Sequence, residues 1–322
     1  MKKFVASLSA LGVLALAGCS ATGGAPRPAA DGELAGGVDT PRRTVAFITH
    51  GAPGDTYWDL VRKGAEDAAK KDNIELRYSS DPQAPNQANL VKSAVDAGVD
   101  GLAVTLPNPQ AIGPMAQLAA DAGIPTVGLN SGMDAYQDYG MSAFFGQDEH
   151  VAGEKAGQRL AEEGAEKVLC VIHEQGNTSQ EARCAGVEEG LGRPVELLYV
   201  NGQDLTAVQS TLSAKLQQDR EIDWVMALQS KVALRAVEAS AAVKVATFDT
   251  DAELVTAIGD GRVQFAVDQQ PYLQGYLAVD ALWLAHRNGA AVGGGRPVFT
   301  GPALVDKDNV AAIAAAAKEG LR

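Results

Sequence analysis

The sequence predicts an α/β protein of two similar lobes, each built on a parallel sheet with helices on both faces. Short β-branched runs alternate with amphipathic stretches of helical period along nearly the whole chain, which is the pattern of βαβ units. Two such series follow one another, and together they hold more strands than one sheet comfortably accommodates. The composition agrees, because 46% hydrophobic residues with only 5% aromatics indicate cores packed from small side chains.

The first series predicts the lobe nearer the N-terminus of the globular part. It ends at an irregular stretch, Ser131–Asp148, where we place the boundary between the lobes. Its predicted strands are Thr44–Thr49, Ile74–Tyr78, Gly101–Leu106 and Pro125–Asn130, and its helices are 57–71, 86–97 and 109–122.

The second series predicts another sheet of the same kind. After it come a helical segment, 271–289, a glycine-rich turn, and one further strand, Pro297–Val305. The strands of the second series are Lys167–Ile172, Val195–Val200, Trp224–Leu228, Val243–Phe248 and Arg262–Val267, and its helices are 149–163, 178–190, 204–219, 230–240 and 251–259.

The N-terminus predicts export and lipidation. Two lysines precede an apolar segment, Phe4–Ala17, that is of signal-peptide length and too short to span a bilayer comfortably. The segment ends in Leu-Ala-Gly-Cys19, which resembles the lipobox of a bacterial lipoprotein. We therefore expect a signal peptide at 1–18 and a diacylglyceryl group on Cys19; an ordinary secretory signal with a chance cysteine is the alternative.

Residues 19–43 predict a flexible tether, because they are rich in Gly, Ala and Pro and lack any apolar period. No later stretch is long and apolar enough to span a membrane. The lipid is therefore the only membrane contact that we expect, and it would hold the protein extracytoplasmically on the outer face of the cell membrane.

The two remaining cysteines form an even pair in an oxidising compartment. Cys170 ends an apolar run and Cys184 lies in the helical segment that follows it. We expect a disulfide across this βα unit, with two separate buried thiols as the alternative. A catalytic thiol is not expected, because no histidine has a suitable local spacing to either residue.

Charge and motifs argue against several classes of function. The formal net charge is −13 and no run of Lys or Arg breaks it, so nucleic-acid binding is not expected. The order of Ser, His and Asp fits no triad, the glycines after His50 lack the Lys-Ser/Thr of a phosphate-binding loop, and no His, Cys and Asp set has metal spacing. We expect no enzyme activity, no metal and no cofactor.

Polar and aromatic side chains recur where the predicted strands end. In open α/β sheets, ligands bind outside the carboxyl ends of the strands. Carboxylates and amides can each bond two adjacent hydroxyls while aromatic rings cover a C–H face, so a small neutral sugar or polyol is the expected ligand. The candidate contacts are His50, Asp55, Tyr57, Trp58, Asn130, Ser131, Glu174, Asn177, Arg183, Gln229, Asp249, Asp268 and Gln269.

Several sequence segments, which occur in the same order as in the family, resemble those of the ribose-type periplasmic sugar-binding proteins. These proteins are the type I solute-binding components of ABC importers. The resemblance covers about 44–305. Its phrases are Thr44-Val-Ala-Phe-Ile-Thr-His, Asp55-Thr-Tyr-Trp, Val127-Gly-Leu-Asn-Ser, Gly146-Gln-Asp-Glu, Phe248-Asp249 and Ala266-Val-Asp-Gln-Gln-Pro. With the lipobox, the segment that starts at Phe265 is similar to the actinobacterial lipoprotein branch.

The resemblance implies two Rossmann-like lobes joined by three crossover strands, the type I periplasmic binding protein fold. The crossings are expected near 147–148, 268–270 and 300–302. The N-terminal lobe then comprises 44–147 with 270–300, and the C-terminal lobe 148–269 with 301–322. A monomer that closes on its ligand and delivers it to an ABC permease and its ATPase is the implied function.

The family's ligand positions fall on residues of this chain one by one. Asp55 matches a position that is commonly Asn, Asn130 one that is Asp in ribose binders, and Ser131 one that is Arg. Gln229 stands in place of an Asn, and with these changes ribose itself is not the expected ligand. The remaining matches are Tyr57 and Trp58 to two ring-sandwiching aromatics, Asp249 to an Asp, Gln269 to a Gln, and Arg183 to a nearby ligand Arg.

Some candidates keep a second interpretation. His50 has no family counterpart and is either a hydroxyl partner or a structural hydrogen bonder beside the hinge. Asp249 could cap the next helix, and Asp268 could be a salt-bridge partner in the hinge.

Three other functional classes use the same scaffold. A secreted enzyme would need a nucleophile–base pair in the cleft, and a sugar-responsive repressor would need a basic helix-turn-helix at its N-terminus. A sensor lipoprotein that feeds a receptor, with a non-sugar small molecule as ligand, stays open from sequence alone.

Overall fold

A computed structural model describes residues 39–322. The predicted signal peptide, Cys19 and most of the predicted tether lie outside these described residues. Within 39–322, no helix is long and apolar enough to cross a membrane.

The first sheet has six parallel strands. One of its two edge strands comes from a much later part of the chain than the other five. Its strand order is β11-β5-β4-β3-β1-β2. These strands are β1 (Arg43–Thr49), β2 (Ile74–Ser80), β3 (Gly101–Val104), β4 (Thr126–Leu129), β5 (Phe144–Gly146) and β11 (Pro297–Phe299), and the helices beside them are α1 (Thr56–Lys71), α2 (Ala84–Asp96), α3 (Pro109–Asp121) and α9 (Pro271–Asn288).

The second sheet repeats this plan with one antiparallel edge strand. Its order is β12-β10-β9-β8-β6-β7, and only the β10–β12 pairing is antiparallel. The strands are β6 (Val168–Ile172), β7 (Glu196–Tyr199), β8 (Trp224–Ala227), β9 (Lys244–Phe248), β10 (Phe265–Asp268) and β12 (Ala303–Asp306), and the helices are α4 (Glu149–Glu162), α5 (Thr178–Leu191), α6 (Leu205–Gln218), α7 (Ser230–Ala239), α8 (Ala252–Gly259) and α10 (Ala314–Lys318).

Each sheet buries apolar side chains on both faces, which explains why its central strands read as continuous hydrophobic runs. In the first sheet, Phe47 packs into the core on one face and its neighbour Ile48 into the core on the other. In the second, Val171 and Ile172 divide in the same way. The prediction of two α/β lobes with mostly parallel sheets is therefore confirmed.

Two details differ from the sequence-based expectation. The stretch Ser131–Asp148, predicted as irregular, contains β5, whose three residues are too few to show a period. The single strand predicted at Pro297–Val305 is two strands, β11 and β12, one in each sheet. The chain leaves the first sheet at Thr300 and enters the second at Ala303, so the segment between them crosses from lobe to lobe.

The crossing segments pack against one another at a glycine. A Cβ atom on Gly301 would lie 2.8 Å from Oε1 of Gln147 and 2.9 Å from the carbonyl oxygen of Asp268. No side chain fits there without displacing one of the other two segments. The three passages between the lobes therefore form one compact hinge.

The predicted disulfide is present. Cys170 in β6 and Cys184 in α5 are bonded, with their Cα atoms 6.0 Å apart, and both residues are buried in the same apolar core. The bond ties the second sheet to the helix whose first turns reach the cleft.

Removing this disulfide should lower stability measurably. The bond closes a loop with a sequence separation of 14, for which loop-closure entropy gives about 3 kcal/mol. The double variant Cys170→Ala/Cys184→Ala should lose about that much free energy of unfolding in urea titrations. Reduction of the wild-type protein is the control and should reproduce the loss; an unchanged midpoint in both samples would contradict the prediction.

Candidate functional site

The carboxyl ends of the two sheets face each other across a polar cleft. Twelve of the thirteen predicted contacts line the inner cavity of this cleft, and Asp268 does not. Four further residues complete the lining: His173, Ser179, Gln180 and Leu228.

The inner cavity is small and opens into a larger chamber. Its volume is about 30 Å³, which is room for one or two waters, whereas the outer chamber has about 940 Å³. Asp55, His173, Glu174 and Gln229 border both spaces. A sugar ring can therefore enter only if the lobes separate or the side chains between them move.

An aromatic wall stands at the start of α1. The side chain of Asp55 caps this helix, because its Oδ1 accepts the backbone N–H of Tyr57 at 3.0 Å. The cap turns Tyr57 and Trp58 into the cleft, with their rings edge to face at 5.0 Å between centroids. Trp58 lies directly over Gly51, where a Cβ would come within 2.5 Å of the indole, so only glycine allows this packing.

A buried chain of hydrogen bonds joins the lobes beside the hinge. Nδ2 of Asn130 donates to the hydroxyl of Tyr57 at 2.7 Å and to Oε1 of Gln269 at 3.2 Å. Nε2 of Gln269 in turn donates to Oδ1 of Asp249 at 2.7 Å. Tyr57 donates its own proton to Gln274 at 3.1 Å. Each polar group thus holds the next in position.

Two residues of this hydrogen-bonded set, Asn130 and Asp249, have left-handed backbone conformations. Asn130, after β4, has φ 62°, and Asp249, after β9, has φ 66°. Asn and Asp are among the few non-glycine residues that adopt this region, and such strain concentrates at functional sites. The two lobes therefore present one such side chain each at equivalent strand ends.

The guanidinium of Arg183 is held from behind by a carboxylate that the sequence analysis did not select. Glu149 accepts Nε of Arg183 at 2.6 Å and NH2 at 2.9 Å, and Phe248 lies 4.6 Å beneath the guanidinium. Burial alone would lower the pKa of Arg183, but the contact with Glu149 raises it. Arg183 thus stays charged, with Glu149 neutralising it.

The carboxyls of the cleft are partly desolvated. Burial raises the pKa of Asp55 to about 7, and the charge of Glu174 adds to the rise. Burial also raises the pKa of Asp249 to about 7, against the opposing effects of Arg183 and Gln269. Both carboxyls therefore titrate near neutral pH.

Two buried histidines are neutral at that pH. Burial and then the charge of Arg183 lower the pKa of His50 to about 3, and burial lowers the pKa of His173 to about 4. Nδ1 of His50 lies 2.8 Å from Oγ1 of Thr105, within its own lobe. Its Nε2 lies 3.6 Å from Glu174 of the other lobe.

Two amide side chains at the start of α5, from the N-cap Asn177 and from Gln180, hold Glu174. Oε1 of Gln180 accepts the backbone N–H groups of His173 and Glu174, which fixes its Nε2 as a donor to Glu174 at 3.0 Å. Asn177 donates to the same oxygen at 2.6 Å. His173 directly follows a predicted strand, which was a usable signal. Ser179 and Gln180 lie in the first turn of α5, away from the strand end, and carried no such signal.

Asp268 lies in the hinge and outside the cavity wall. Its Oδ2 is 2.5 Å from NH2 of Arg322, and its Oδ1 accepts the backbone N–H of Gln270 at 2.9 Å. Asp268 therefore has the salt bridge that the second interpretation expected, and it does not line the inner cavity. Its side chain is fully buried, so it could not reach a ligand without breaking that pair.

One further hydrogen bond crosses between the lobes outside the cavity wall, and a second bond within the second lobe supports it. Oγ1 of Thr56, in α1, donates to Oδ2 of Asp251 at 3.1 Å. Ser230 donates to the same oxygen at 2.7 Å. These three residues, which we call the Thr56 latch, connect the two lobes without lining the inner cavity.

The raised pKa of Asp249 predicts a pH-dependent stability. The folded protein binds this proton more tightly than the unfolded chain, whose carboxyl titrates near 3.8, so the free energy of unfolding should fall between about pH 4 and about pH 7. Asp249→Asn removes the contribution and should therefore gain stability, relative to wild type, between about pH 5 and about pH 8. Thermal unfolding at the two pH values measures this.

The matched control is Asp260→Asn, an exposed carboxyl at the end of α8. Its difference from wild type should be the same at both pH values. If the difference for Asp249→Asn is also constant, the carboxyl does not titrate in this range.

Comparison with known proteins agrees with this architecture. Residues 45–290 match the family described as periplasmic binding protein domain. A crystal structure of a carbohydrate transporter from Acidothermus cellulolyticus 11B, in complex with myo-inositol, is 48% identical, covers 88% of this chain and 100% of that chain, and superposes with a TM-score of 0.86.

Curated relatives are more distant. A xylose/arabinose-binding protein of Sulfolobus acidocaldarius is 23% identical over 84% of this chain and 73% of its own length. A putative rhizopine-binding protein of Rhizobium meliloti is 26% identical over 80% of this chain and 88% of its own length. The chain therefore belongs to the ribose-type periplasmic sugar-binding proteins of ABC transporters, which bind their substrates and are not enzymes.

Proposed function

We propose that this chain is an extracytoplasmic lipoprotein that captures a monosaccharide or cyclic polyol between its lobes and delivers it to an ABC permease. The convergence of amides and carboxylates from both lobes beside the Tyr57–Trp58 wall carries the proposal. The 48%-identical neighbour in complex with myo-inositol supports a ring that carries many hydroxyls.

The wall chemistry fits such a ring. Asp55, Asn130 and Asp249 line the cavity, and each carries a side-chain oxygen that can accept a hydroxyl proton. Trp58 presents an apolar ring to the C–H face of the ligand. Since a buried polar group left unpaired costs about 1–3 kcal/mol, epimers that misplace one hydroxyl should bind much more weakly.

Capture couples to closure because groups from both lobes touch one ligand. Asp55 and Asn130 belong to the first sheet's lobe, and Gln229 and Asp249 to the other. A ligand that contacts both lobes stabilises the closed arrangement over the open one, which shifts the equilibrium between them. The closed form is then the one that docks on the permease.

The N-terminal prediction completes the proposal. A lipid on Cys19 would hold the protein at the outer face of the membrane, and residues 19–43 would give the lobes reach towards a permease. This arrangement keeps the loaded protein close to its transporter.

A ligand panel tests the proposed ligand class. The purified chain from residue 19 onward is heated with pentoses, hexoses, inositols and alditols, one at a time. One of them should raise the melting temperature by several degrees, because a ligand at about 100 times its Kd adds about 2.7 kcal/mol. If amino acids or purines raise it and no sugar or polyol does, the ligand class is wrong.

A variant in the cavity wall and a control variant on the surface test whether the ligand binds in this cavity. Gln229→Ala removes a side chain that lines the cavity and donates to Asp55 at 2.7 Å, and it should weaken the Kd by about tenfold or more. Gln217→Ala, on the exposed face of α6, should leave the Kd unchanged. Equal affinity of both variants would place the ligand elsewhere.

The Thr56 latch predicts a change of affinity without a change of selectivity. Thr56→Val keeps the side-chain shape but loses the hydrogen bond to Asp251, so the closed form should be less populated. A hydrogen bond to a carboxylate contributes about 1.5–3 kcal/mol, and the Kd of every bound ligand should therefore rise about tenfold in titration calorimetry. Small-angle scattering should show a larger mean radius of gyration.

Thr206→Val is the matched control, since Thr206 lies exposed in the first turn of α6. It should change neither the Kd nor the radius. A Thr56 variant that reorders the ligand preferences would show that Thr56 contacts the ligand and is not a remote latch.

A further inference from the structure

We propose that Gln274 is a positioning residue that sets the donor and acceptor roles of Tyr57, Asn130 and Gln269, and through them the selectivity of the cavity. The inference rests on the proposed function and deepens it. Two observations carry it: the buried place of Gln274 behind the cavity wall, and the directions of the hydrogen bonds that begin at its amide.

Gln274 lies near the start of α9, is fully buried and does not line the inner cavity. It reaches Tyr57 because α9 packs very closely against α1. A Cβ atom on the next residue, Gly275, would lie 1.9 Å from the carbonyl oxygen of Val61 in α1, so only glycine allows this approach. The amide of Gln274 is thereby held between Tyr57 and the hinge.

A backbone carbonyl determines the orientation of the Gln274 amide. Nε2 of Gln274 lies 3.1 Å from the carbonyl oxygen of Gln269, which can only accept a hydrogen bond. The amide nitrogen therefore faces Gln269, and the amide oxygen faces the hydroxyl of Tyr57 at 3.1 Å. Nε2 is also 3.2 Å from Oγ1 of Thr300, in the last crossing segment. The amide cannot reverse without placing two oxygens against each other.

Tyr57 and Asn130 take the acceptor role as a result. The hydroxyl proton of Tyr57 is committed to Gln274, so the Tyr57 oxygen can only accept. Nδ2 of Asn130 donates to that oxygen and to Oε1 of Gln269, which uses both of its protons. Asn130 then offers a ligand only Oδ1, which also accepts from Ser131 at 2.7 Å.

Gln269 takes the opposite role. Its Oε1 accepts from Asn130 and from Nε2 of Gln274, the latter at 3.0 Å, which occupies both lone pairs. Its Nε2 donates one proton to Asp249, and the second proton has no acceptor within the described range of residues. Gln269 therefore meets a ligand as a donor.

The other partners of this set do not fix these roles by themselves. The carboxyl of Asp249 accepts when it is ionised and can donate when it is protonated, and burial raises its pKa to about 7. The hydroxyl of Ser131 can likewise donate or accept. The carbonyl of Gln269 has a single role, and Gln274 is the side chain that transmits it to Tyr57.

The consequence for a ligand is a directional requirement. A ligand hydroxyl beside Tyr57 and Asn130 must donate its proton, whereas one beside Gln269 must accept. Fluorine in place of the first hydroxyl cannot donate, so the oxygens of Tyr57 and Asn130 would be left without a partner. Because the contacts of Gln274 lie at the hinge, we expect them to form in the open protein as well as in the closed one.

Titration calorimetry of the chain from residue 19 onward tests the proposal. The probe is myo-inositol, or the member of the ligand panel that binds in its place, with fluorine replacing the hydroxyl at each ring position in turn. At least one fluoro analogue should bind wild type about tenfold more weakly than its parent. Gln274→Met keeps the side-chain length but frees the hydroxyl of Tyr57 to donate, so the ratio of that analogue's Kd to the parent's should fall about threefold or more.

Two further variants separate positioning from a loss of stability. Gln217→Met, on the exposed face of α6, should keep the wild-type ratio. In a Tyr57→Phe background, Gln274→Met should change the ratio less than it does in wild type, because the hydroxyl that carries the effect is gone. An equal change in both backgrounds would overturn the route through Tyr57.

The outcomes separate this inference from the proposed function. If no sugar or polyol binds wild type, both are overturned. If a polyol binds but Gln274→Met weakens the parent and every analogue by the same factor, the proposed function stands and the positioning role is overturned. The same holds if no fluoro analogue binds wild type more weakly than its parent.

A measurement on wild type needs no variant and decides the case if Gln274→Met does not fold. Neutron diffraction from deuterated crystals should place the deuterium of the Tyr57 hydroxyl towards Oε1 of Gln274. A deuterium that points into the cavity would overturn the proposal.

Discussion

A carboxylate that is buried away from water needs hydrogen-bond donors from the protein, and the cleft of this protein contains four such carboxylates. Each one determines the position of other side chains. Glu149 holds the guanidinium of Arg183, and Asp249 holds the amide of Gln269. Asp55 holds the amide of Gln229, and Glu174 holds the amides of Asn177 and Gln180. Because an unpaired buried charge is costly, these side chains have little freedom. The wall is therefore ordered before any ligand arrives.

The fold makes this gathering possible because two parallel sheets direct their carboxyl ends at each other. The polar residues follow strands whose own side chains are buried on both faces, so the sheets are rigid supports for the wall. Gly301 lets the three crossing segments pack closely, and the Thr56 latch adds a hydrogen bond between the lobes outside the cavity wall. The disulfide between β6 and α5 anchors the helix that supplies Asn177, Gln180 and Arg183. Most of the wall residues lie in short segments that directly follow these strands, so the scaffold holds both ends of each segment.

Sequence reasoning predicted the lobes and most of the cavity wall, and its gaps have physical reasons. The period of strands and helices follows from local burial, and strand ends converge in any parallel sheet, which is why twelve of thirteen candidates line the cavity. The short β5 and the split of the last predicted strand depend on tertiary pairing, which no local pattern shows. The role of Glu149 requires the contact between α4 and α5, and Asp268 was decided by Arg322, which is 54 residues further along the chain.

A ligand that binds in the cavity must replace the hydrogen bonds that cross it between the lobes. Asp55 and Gln229 bond to each other across the lobes, as do Asn130 and Gln269. A ligand that separates these partners gains only the difference between its own bonds and those that it replaces. A neutral hydroxyl exchanges one hydrogen bond for a similar one, so it gains mainly from shape and from bonds to the free acceptors. The selectivity of this cleft therefore depends on the free energy of the hydrogen bonds between the lobes, which a ligand must replace with bonds of its own.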